Sequence, residues 1–247
     1  MKFLVVLCVL WQLAQCKVLP ERLKPYRCKK TDPEFSKCVL DGFEKSHGLF
    51  DEGIPELNLP PFDPFELPLL TVNRTVNELV SINAVCKNIK TIGGSNRVIE
   101  DLKADPVKQT GEIRVTLPWV NLNMDYDVVG QLLIIPLRSI GHFEGNFTNT
   151  QMYVKGNLKK YKKDGEEYFK VNKIDTKITV GDGSIKLTAK DPQHQFEADL
   201  ITLFFNENPR RVMDAINPIF IETTNELFKI MSDHILSSLP ASEWLPA

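Results

Sequence analysis

A change of hydrophobic period near residue 208 is the feature that most constrains the fold of this chain. Over residues 69–190 apolar and polar side chains alternate, as they do at Ile113, Val115 and Leu117, which is typical of β-strands with one buried face. Over residues 208–239 the period becomes that of an amphipathic helix. The order predicts an α+β fold in which a long C-terminal α-helix is wrapped by an antiparallel β-sheet.

Tight turns and one interruption predict that the sheet is highly curved. Residues 163–166 and 181–183 carry the Asp-Gly and Gly-Asp-Gly sequences of hairpin turns. At Pro118 the alternation reverses its phase, so the apolar residues between Val120 and Val128 occupy the opposite set of positions. A bulge moves side chains to the other face in this way and bends the strand, so we expect a bulge at Pro118.

The predicted helix has start and stop signals and one internal proline. Asn208 can cap it, Pro209 suits its first position and Pro240 ends it. Pro218 is expected to kink it, because the ring removes one backbone hydrogen bond. At about 100° per residue, one arc of the helix collects Val212, Ile216, Ile219, Phe220, Thr223, Leu227, Ile230, Met231 and His234.

A highly curved sheet cannot stay in contact with a long helix everywhere, so we expect an elongated apolar cavity between them. Such cavities bind small hydrophobic ligands. Trp119 is expected either to face this cavity or to cover its end. His234 is either a neutral side chain bonded to a carbonyl or a donor that orients the ligand. The predicted lining residues are Val212, Ile216, Ile219, Phe220, Thr223, Leu227, Met231, His234 and Trp119.

The segment at residues 53–68 holds five prolines among closely spaced apolar residues. Proline excludes a continuous helix here, because it lacks a backbone donor and clashes with the preceding turn. The segment is nevertheless too apolar for a solvated linker, so we expect an extended ribbon that walls the cavity. Its apolar residues are Ile54, Leu57, Leu59, Phe62, Phe65 and Leu67.

The N-terminus predicts secretion. Residues 1–16 combine Lys2, a short apolar run and the sequence Ala14-Gln15-Cys16, which is typical of a cleaved signal peptide. Residues 17–247 then form the mature chain as a single domain. The formal net charge of −2 becomes −3 without Lys2. This balance indicates neither nucleic acid nor an anionic membrane as a partner, and no stable membrane insertion is expected.

Three cysteines remain after the signal peptide. Cys28 and Cys38 enclose a short loop beside a helix start at residues 31–34, and we predict a disulfide that contributes about 2–3 kcal/mol. Cys86 is then unpaired. It is either a buried small apolar residue, an intermolecular bridge or a reactive thiol. The sequons at Asn73 and Asn146 predict N-glycosylation.

Several motifs resemble one family of insect proteins. The stretch from Cys28 to Cys38 and the segment 53–64 are similar to the N-terminal signature of the juvenile-hormone-binding and takeout family. Residues 130–137 resemble its central strand, and residues 217–218 with 239–246 resemble its C-terminal signature. The resemblance covers essentially the whole mature chain.

The resemblance implies a secreted, monomeric carrier with a juvenile-hormone-binding-protein (TULIP-like) fold, in haemolymph or in sensory or epithelial fluid. Its ligand would be a terpenoid such as juvenile hormone, a fatty acyl compound or an odorant, held in an internal tunnel; its receptor is unknown. Hormone carriers of the family usually have a second disulfide, and Cys86 has no partner for one. The chain therefore resembles the takeout-like branch, which is associated with circadian, feeding or chemosensory physiology.

Two other functions are weighed against a carrier. A secreted esterase would need catalytic motifs, and the chain has no G-x-S-x-G, H-E-x-x-H or C-x-x-C sequence around His47, His142, His194 or His234. We therefore predict that the protein is not an enzyme, with no catalytic residue, metal or cofactor.

The second alternative is a signalling or interaction protein with a structural lipid, for which residues 242–245 offer an exposed aromatic hook at Trp244. The basic run at residues 159–163 is interpreted as a solvated hairpin tip, and a contact with a membrane or receptor is the alternative.

Overall fold

The structure is a computed structural model that describes residues 18–132 and 135–246. The signal peptide predicted at residues 1–16 lies outside the described residues. The α-helices are α1 (Phe35–Lys45), α2 (His47–Glu52), α3 (Gln195–Glu207), α4 (Pro209–Leu236) and α5 (Ala241–Trp244). The strands are β1 (Phe65–Asn77), β2 (Val80–Ile92), β3 (Val98–Asp105), β4 (Thr110–Leu132), β5 (Ile135–Lys163), β6 (Glu166–Thr179) and β7 (Asp182–Ala189).

The seven strands form one antiparallel sheet that has two halves. Its main order is β1-β2-β4-β5-β6, with β3 beside β4 and β7 beside β5. The long strands β4 and β5 pair with each other over the full length of β4 and run through both halves. In one half, called the β6 half, the order is β3-β4-β5-β6. In the other, called the β7 half, it is β1-β2-β4-β5-β7.

The bulge predicted at Pro118 is wrong. The pairing of β4 with β5 keeps one register from Leu117↔Thr150 to Trp119↔Thr148. Opposite Pro118, Asn149 has a φ of 50°, and both strands change their outer neighbours at this point. The reversal of hydrophobic phase therefore marks the junction between the two halves of the sheet.

The hairpin turn at residues 163–166 and the start of the long helix are confirmed. The hairpin turn predicted at residues 181–183 is wrong, because β6 and β7 each pair with β5 and not with each other. The Asn208 side chain precedes the helix but forms no capping hydrogen bond. Asp164 and Gly165 connect β5 to β6 with φ values of 54° and 86°, which are the left-handed conformations that a primed hairpin turn requires. The α4 helix starts at Pro209 and includes Pro218. The kink expected at Pro218 stays a prediction.

Side chains of α3 occupy the free edge of β7. The Asn206 side chain accepts a hydrogen bond from the Ile185 N–H (2.8 Å) and donates one to the Ile185 carbonyl (3.0 Å). Thr202 accepts a hydrogen bond from the Leu187 N–H (3.1 Å). Thr202 and Asn206 are separated by about 6 Å along the helix, and Ile185 and Leu187 by about 6.6 Å along the strand, so the two spacings match. The α3 helix, which the sequence analysis did not identify, therefore satisfies this edge.

The long helix α4 binds the free edge of β6. The Val171 N–H donates to Asp233 Oδ1 (2.6 Å), and Asn217 Nδ2 donates to the Ile178 carbonyl (3.3 Å). Asn217 precedes Asp233 on the helix, whereas Ile178 follows Val171 on the strand, so the helix follows the strand in the antiparallel direction. An edge strand bound in this way cannot pair with another molecule.

The same helix is also held to β1, at the opposite end of the main strand order. The Arg74 guanidinium forms ion pairs with Glu222 (2.8 Å) and with Glu226. On β3, the hydroxyl of Ser36 in α1 bonds to the N–H (2.9 Å) and carbonyl (3.1 Å) of Ala104. Each of the four outer strands therefore has a helix against its edge.

The proline segment is a folded plug and not the extended ribbon that the sequence predicts. Its backbone turns back on itself, so that Ile54 bridges to Leu59. Gly53 and Asn58 have φ values of 82° and 55°, and these left-handed residues permit the reversal. Ile54, Leu57 and Leu59 are 0%, 3% and 5% exposed. They pack against Leu239 beyond the end of α4.

Asp63 fastens the plug to the loop between β2 and β3. Its Oδ2 accepts hydrogen bonds from the Ser95 hydroxyl (2.5 Å), the Ser95 N–H (3.0 Å) and the Gly93 N–H (3.2 Å). Burial opposes ionisation, but these donors and the nearby Arg97 together lower the pKa of Asp63 from its ordinary value.

We expect Asn206→Ala to destabilise the protein by about 1–2 kcal/mol, because it leaves the Ile185 N–H and carbonyl without their partner. Urea unfolding followed by circular dichroism measures this difference. Glu207→Ala, one residue further along the same helix, is the control and is expected to change stability by less than about 0.5 kcal/mol. Equal effects of the two variants would contradict the assigned role of Asn206.

We expect the contribution of Asp63 to stability to depend on pH. Because the folded-state pKa is lowered, the contribution is complete above the ordinary pKa of 3.8 and is lost as pH falls through the folded value. Asp63→Asn should therefore be less stable than the wild type at about pH 6, and the difference should shrink toward about pH 3. Asp214→Asn, at an exposed position of α4, is the control. A difference that stays constant with pH would contradict this account.

Candidate functional site

The space between α4 and the middle strands is the candidate site. The backbone of α4 comes closest to β6 and approaches β1 and β7 over short stretches. Within the described residues its approach to β2, β4 and β5 is much slighter. A curved sheet that touches one helix at both of its edges must arch away from that helix in between.

Two buried clusters close the ends of this space. At the start of α4, Val212 packs in a cluster that Ile216 also joins. At the end of α4, Ile235 packs against the cluster that contains the proline plug. The helix between Ile216 and Ile235 spans about 28 Å. The buried members of the first cluster are Tyr126, Ile185, Leu187, Ala198, Phe205 and Val212.

The wall opposite the helix in the β6 half is apolar and only half-buried. Directly opposed residues on neighbouring strands share a face, and the register gives two rows across the half. The buried clusters of the described residues do not include the half-buried members of these rows. Apolar side chains that alternate inward without full burial border open space. The rows are Leu102–Ile113–Val154–Thr176 and Ile99–Val115–Met152–Ile178.

The predicted lining residues of α4 separate into three groups. Val212 and Ile219 are buried, with 1% and 5% of their surface exposed. Thr223, which donates its hydroxyl hydrogen to the Ile219 carbonyl (2.8 Å), is half-buried, and so are Ile216, Leu227 and Met231. Phe220 is 44% exposed and His234 is also exposed.

After Pro218 the half-buried face of α4 is broader than the predicted arc. It includes Ile221, Thr224, Asn225, Phe228 and Ser232, which sequence reasoning placed outside the site. The prediction applied one rotation per residue to the whole helix and considered apolar residues alone. Exposure does not distinguish bulk solvent from an open hollow, so Phe220 and His234 stay predictions.

Trp119 packs over the loop between β2 and β3. Its ring lies so close to Gly93 that a Cβ on this glycine would be 3.0 Å from two ring carbons. The side chain is 43% exposed. Its expected contact with a ligand therefore remains a prediction.

A buried polar pair lies in the cluster at the start of α4. The Tyr126 hydroxyl and the Ser139 hydroxyl are 2.9 Å apart. Burial raises the pKa of Tyr126 and outweighs the opposing effect of this hydrogen bond. The pair is therefore neutral, and sequence reasoning placed neither residue near the site.

The structure contains the predicted disulfide and a buried, unpaired Cys86. Cys28 and Cys38 form a disulfide with a Cα–Cα distance of 5.9 Å. Cys86 is free and 7% exposed, and burial raises the pKa of its thiol. A protonated, covered thiol behaves as a small apolar residue.

Three of the four histidines, His47, His142 and His194, lie beside carboxylates at the surface. His47 contacts Asp51 at 2.8 Å and His142 contacts Asp125 at 2.9 Å. Among the described residues, no group of three or more His, Cys, Asp or Glu side chains is placed to hold a metal ion. In the same part of the chain no helix has the length and apolar character to span a membrane.

The aromatic hook expected at residues 242–245 is wrong. Trp244 is half-buried against the plug cluster, and its Nε1–H donates to the Leu236 carbonyl (3.3 Å). The lysines at 159, 160, 162 and 163 are exposed, as expected for a solvated hairpin tip.

Two surface clefts are lined mainly by charged residues. One, of about 370 Å³, lies beside the disulfide and includes Asp32, Lys37 and Asp41. The other, of about 460 Å³, lies at the junction of α3 and α4 and includes Arg210 and Arg211. Neither cleft involves the half-buried apolar wall.

Comparisons with known proteins identify related sequences and a solved structure with the same fold. A sequence model of the haemolymph juvenile hormone binding protein (JHBP) family matches residues 3–246. The circadian clock-controlled protein daywake of Drosophila yakuba is 24% identical over 237 residues, which cover 92% of this chain and 88% of that protein. Daywake of Drosophila melanogaster is 22% identical over 233 residues, covering 91% and 87%. The crystal structure of Epiphyas postvittana Takeout 1 matches with a TM-score of 0.67 and 20% identity, covering 90% of this chain and 100% of that chain.

We expect the Cys86 thiol to be unreactive in the native protein, because it is covered and protonated. A thiol-specific chromogenic reagent should label about one equivalent only after unfolding in denaturant. Rapid labelling of the native protein, or a disulfide-linked dimer on a non-reducing gel, would contradict this expectation.

Proposed function

Because the chain belongs to the haemolymph juvenile hormone binding protein family, we propose that it is a secreted, monomeric carrier of one small hydrophobic ligand. The ligand lies between α4 and the middle strands β4 and β5. The observation that supports this most is the half-buried apolar wall, which lies opposite a 28-residue helix between two filled ends. The ligand is a terpenoid, a fatty acyl compound or an odorant.

The size of the apolar surface is sufficient for carriage. A ligand that buries roughly 400–500 Å² of apolar surface gains about 10–12 kcal/mol. Lost translational and rotational freedom offsets several kcal/mol of this gain. We therefore expect dissociation constants between roughly nanomolar and micromolar.

The proposed lining combines helix and sheet. From α4 it takes Ile216, Thr223, Leu227 and Met231, which are half-buried. Val212 and Ile219 close it near the start of the helix, while Phe220, His234 and Trp119 contact ligand from exposed positions. From the sheet it takes Ile113, Val115, Met152 and Val154.

Secretion into haemolymph or another extracellular fluid is part of the proposal. The disulfide fits an oxidising compartment, and both sequon asparagines, Asn73 on β1 and Asn146 on β5, are exposed. We also propose a link to daily physiology, since the two Drosophila relatives are named circadian clock-controlled proteins. Sampling the protein through a day and night cycle tests that link.

Native mass spectrometry of the protein secreted from insect cells tests the carrier function. We expect one protein chain with one bound lipophilic molecule, which added lipid displaces. A bound lipid that never exchanges would instead favour a structural lipid, and a chain that takes up no lipophilic compound would contradict the proposal.

Filling the hollow should prevent binding. We expect Leu227→Trp to weaken binding of the fluorescent probe N-phenyl-1-naphthylamine by at least about 10-fold, because the larger ring occupies ligand space. Fluorescence titration measures the affinity, and circular dichroism confirms the fold. Asp214→Trp, at an exposed position on the same helix, should bind the probe like the wild type. Equal affinity of all three proteins would place the ligand elsewhere.

A further inference from the structure

Among the described residues, one oxygen atom on β6 and one on α4 are buried without a hydrogen-bond partner. They are Thr176 Oγ1 and Asn225 Oδ1. Thr176 is 5% exposed as a residue. An unsatisfied buried polar atom lowers the free energy of unfolding by about 1–3 kcal/mol. Two such atoms therefore require a physical explanation.

The contacts between helix and strand place these atoms near each other. Asn217 bonds to Ile178, and Asp233 bonds to Val171, so chain positions on α4 and β6 correspond in the antiparallel sense. Thr176 lies about 6.6 Å along the strand from Ile178, where Asn217 binds. Asn225 lies about 12 Å along the helix from Asn217, in the same direction. Along the direction in which α4 follows β6, the two side chains are therefore offset by about 5 Å.

Thr176 is also a polar interruption in the apolar wall. Its opposed neighbour on β5 is Val154, which is opposed by Ile113 on β4. An apolar chain that lies along this row would bring its polar end to the Thr176 hydroxyl.

The two oxygens differ in what they can bind. An amide oxygen such as Asn225 Oδ1 only accepts hydrogen bonds, whereas the Thr176 hydroxyl both donates and accepts. A ligand hydroxyl can donate to Asn225 and accept from Thr176 at the same time. An ester, ether or epoxide oxygen carries no hydrogen and can satisfy Thr176 alone.

We propose that the hollow selects amphipathic alcohols, with the ligand hydroxyl held between Asn225 Oδ1 and the Thr176 hydroxyl. This inference rests on the proposed carrier function. Both oxygens are covered by protein atoms, and a change of side-chain rotamer turns them toward the ligand. The alkyl or terpenoid part of the ligand then lies along the β6 half of the sheet.

A matched pair of ligands tests the inference. Farnesol and its methyl ether have nearly the same apolar surface, but only the alcohol can donate a hydrogen bond. We expect the wild type to bind farnesol about 5-fold to 10-fold more tightly, as measured by displacement of N-phenyl-1-naphthylamine. Equal affinities would overturn the inference and leave the carrier function standing. Failure of both compounds to bind would overturn both.

Variants of the two residues make the test specific. Asn225→Leu should abolish the preference for the alcohol while the affinity for the ether stays within about 2-fold, because only the alcohol donates to Asn225. Thr176→Val should weaken the binding of both compounds by a similar factor and keep the preference, because both accept a hydrogen bond from Thr176. Thr179→Val, at an exposed position of the same strand, should keep the preference. Persistence of the preference in Asn225→Leu, or unchanged affinity for both compounds in Thr176→Val, would overturn the assignment.

Stability without ligand gives a second readout. Because the Thr176 hydroxyl has no partner, Thr176→Val should melt at the same temperature as the wild type or higher. A clearly lower melting temperature would show that the hydroxyl has a structural role and would contradict the proposal.

Discussion

The free edges of the sheet are the constraint on which the rest of the structure depends. An unpaired edge exposes backbone donors and acceptors that invite pairing with other chains. In this protein side chains from the helices supply the missing partners. Asn206 bonds to the edge of β7, Asp233 and Asn217 bond to β6, and Ser36 bonds to β3. Arg74 holds the remaining edge, β1, to the long helix. The protein thus covers each sheet edge with a helix, and on β7 the helix side chains are spaced to match the strand residues.

The position of α4 at the edges explains why a hollow is expected beside it. A helix that binds both β6 and β1 is held at the rim of the curve and cannot also descend onto β4 and β5. The clusters around Val212 and Ile54 fill the two ends, so the middle is left with half-buried apolar walls. Ligand carriage in the proposed function follows from this geometry, since one molecule can supply the contacts that the walls lack.

Local patterns in the sequence were sufficient for the elements that depend on nearby residues. The alternation predicted the strands, Asp164-Gly165 predicted a turn, and the signals at Asn208 and Pro209 predicted the long helix. Features that depend on distant partners were missed or wrong. Pro118 marks a change of neighbouring strands, and the plug at residues 53–64 folds back because it packs on Leu239. Asn225 and Thr176 attract attention only when helix and strand are placed together, because each is unremarkable in its own segment.

A high-resolution crystal structure of the secreted protein tests the central claim most directly. The quantity to measure is the space between α4 and the strands β4 and β5, around Leu227 and Met152. The account predicts a continuous apolar space there, or electron density for a bound lipophilic molecule. Direct packing of these side chains against each other along the whole helix, with no room for a guest, would contradict it.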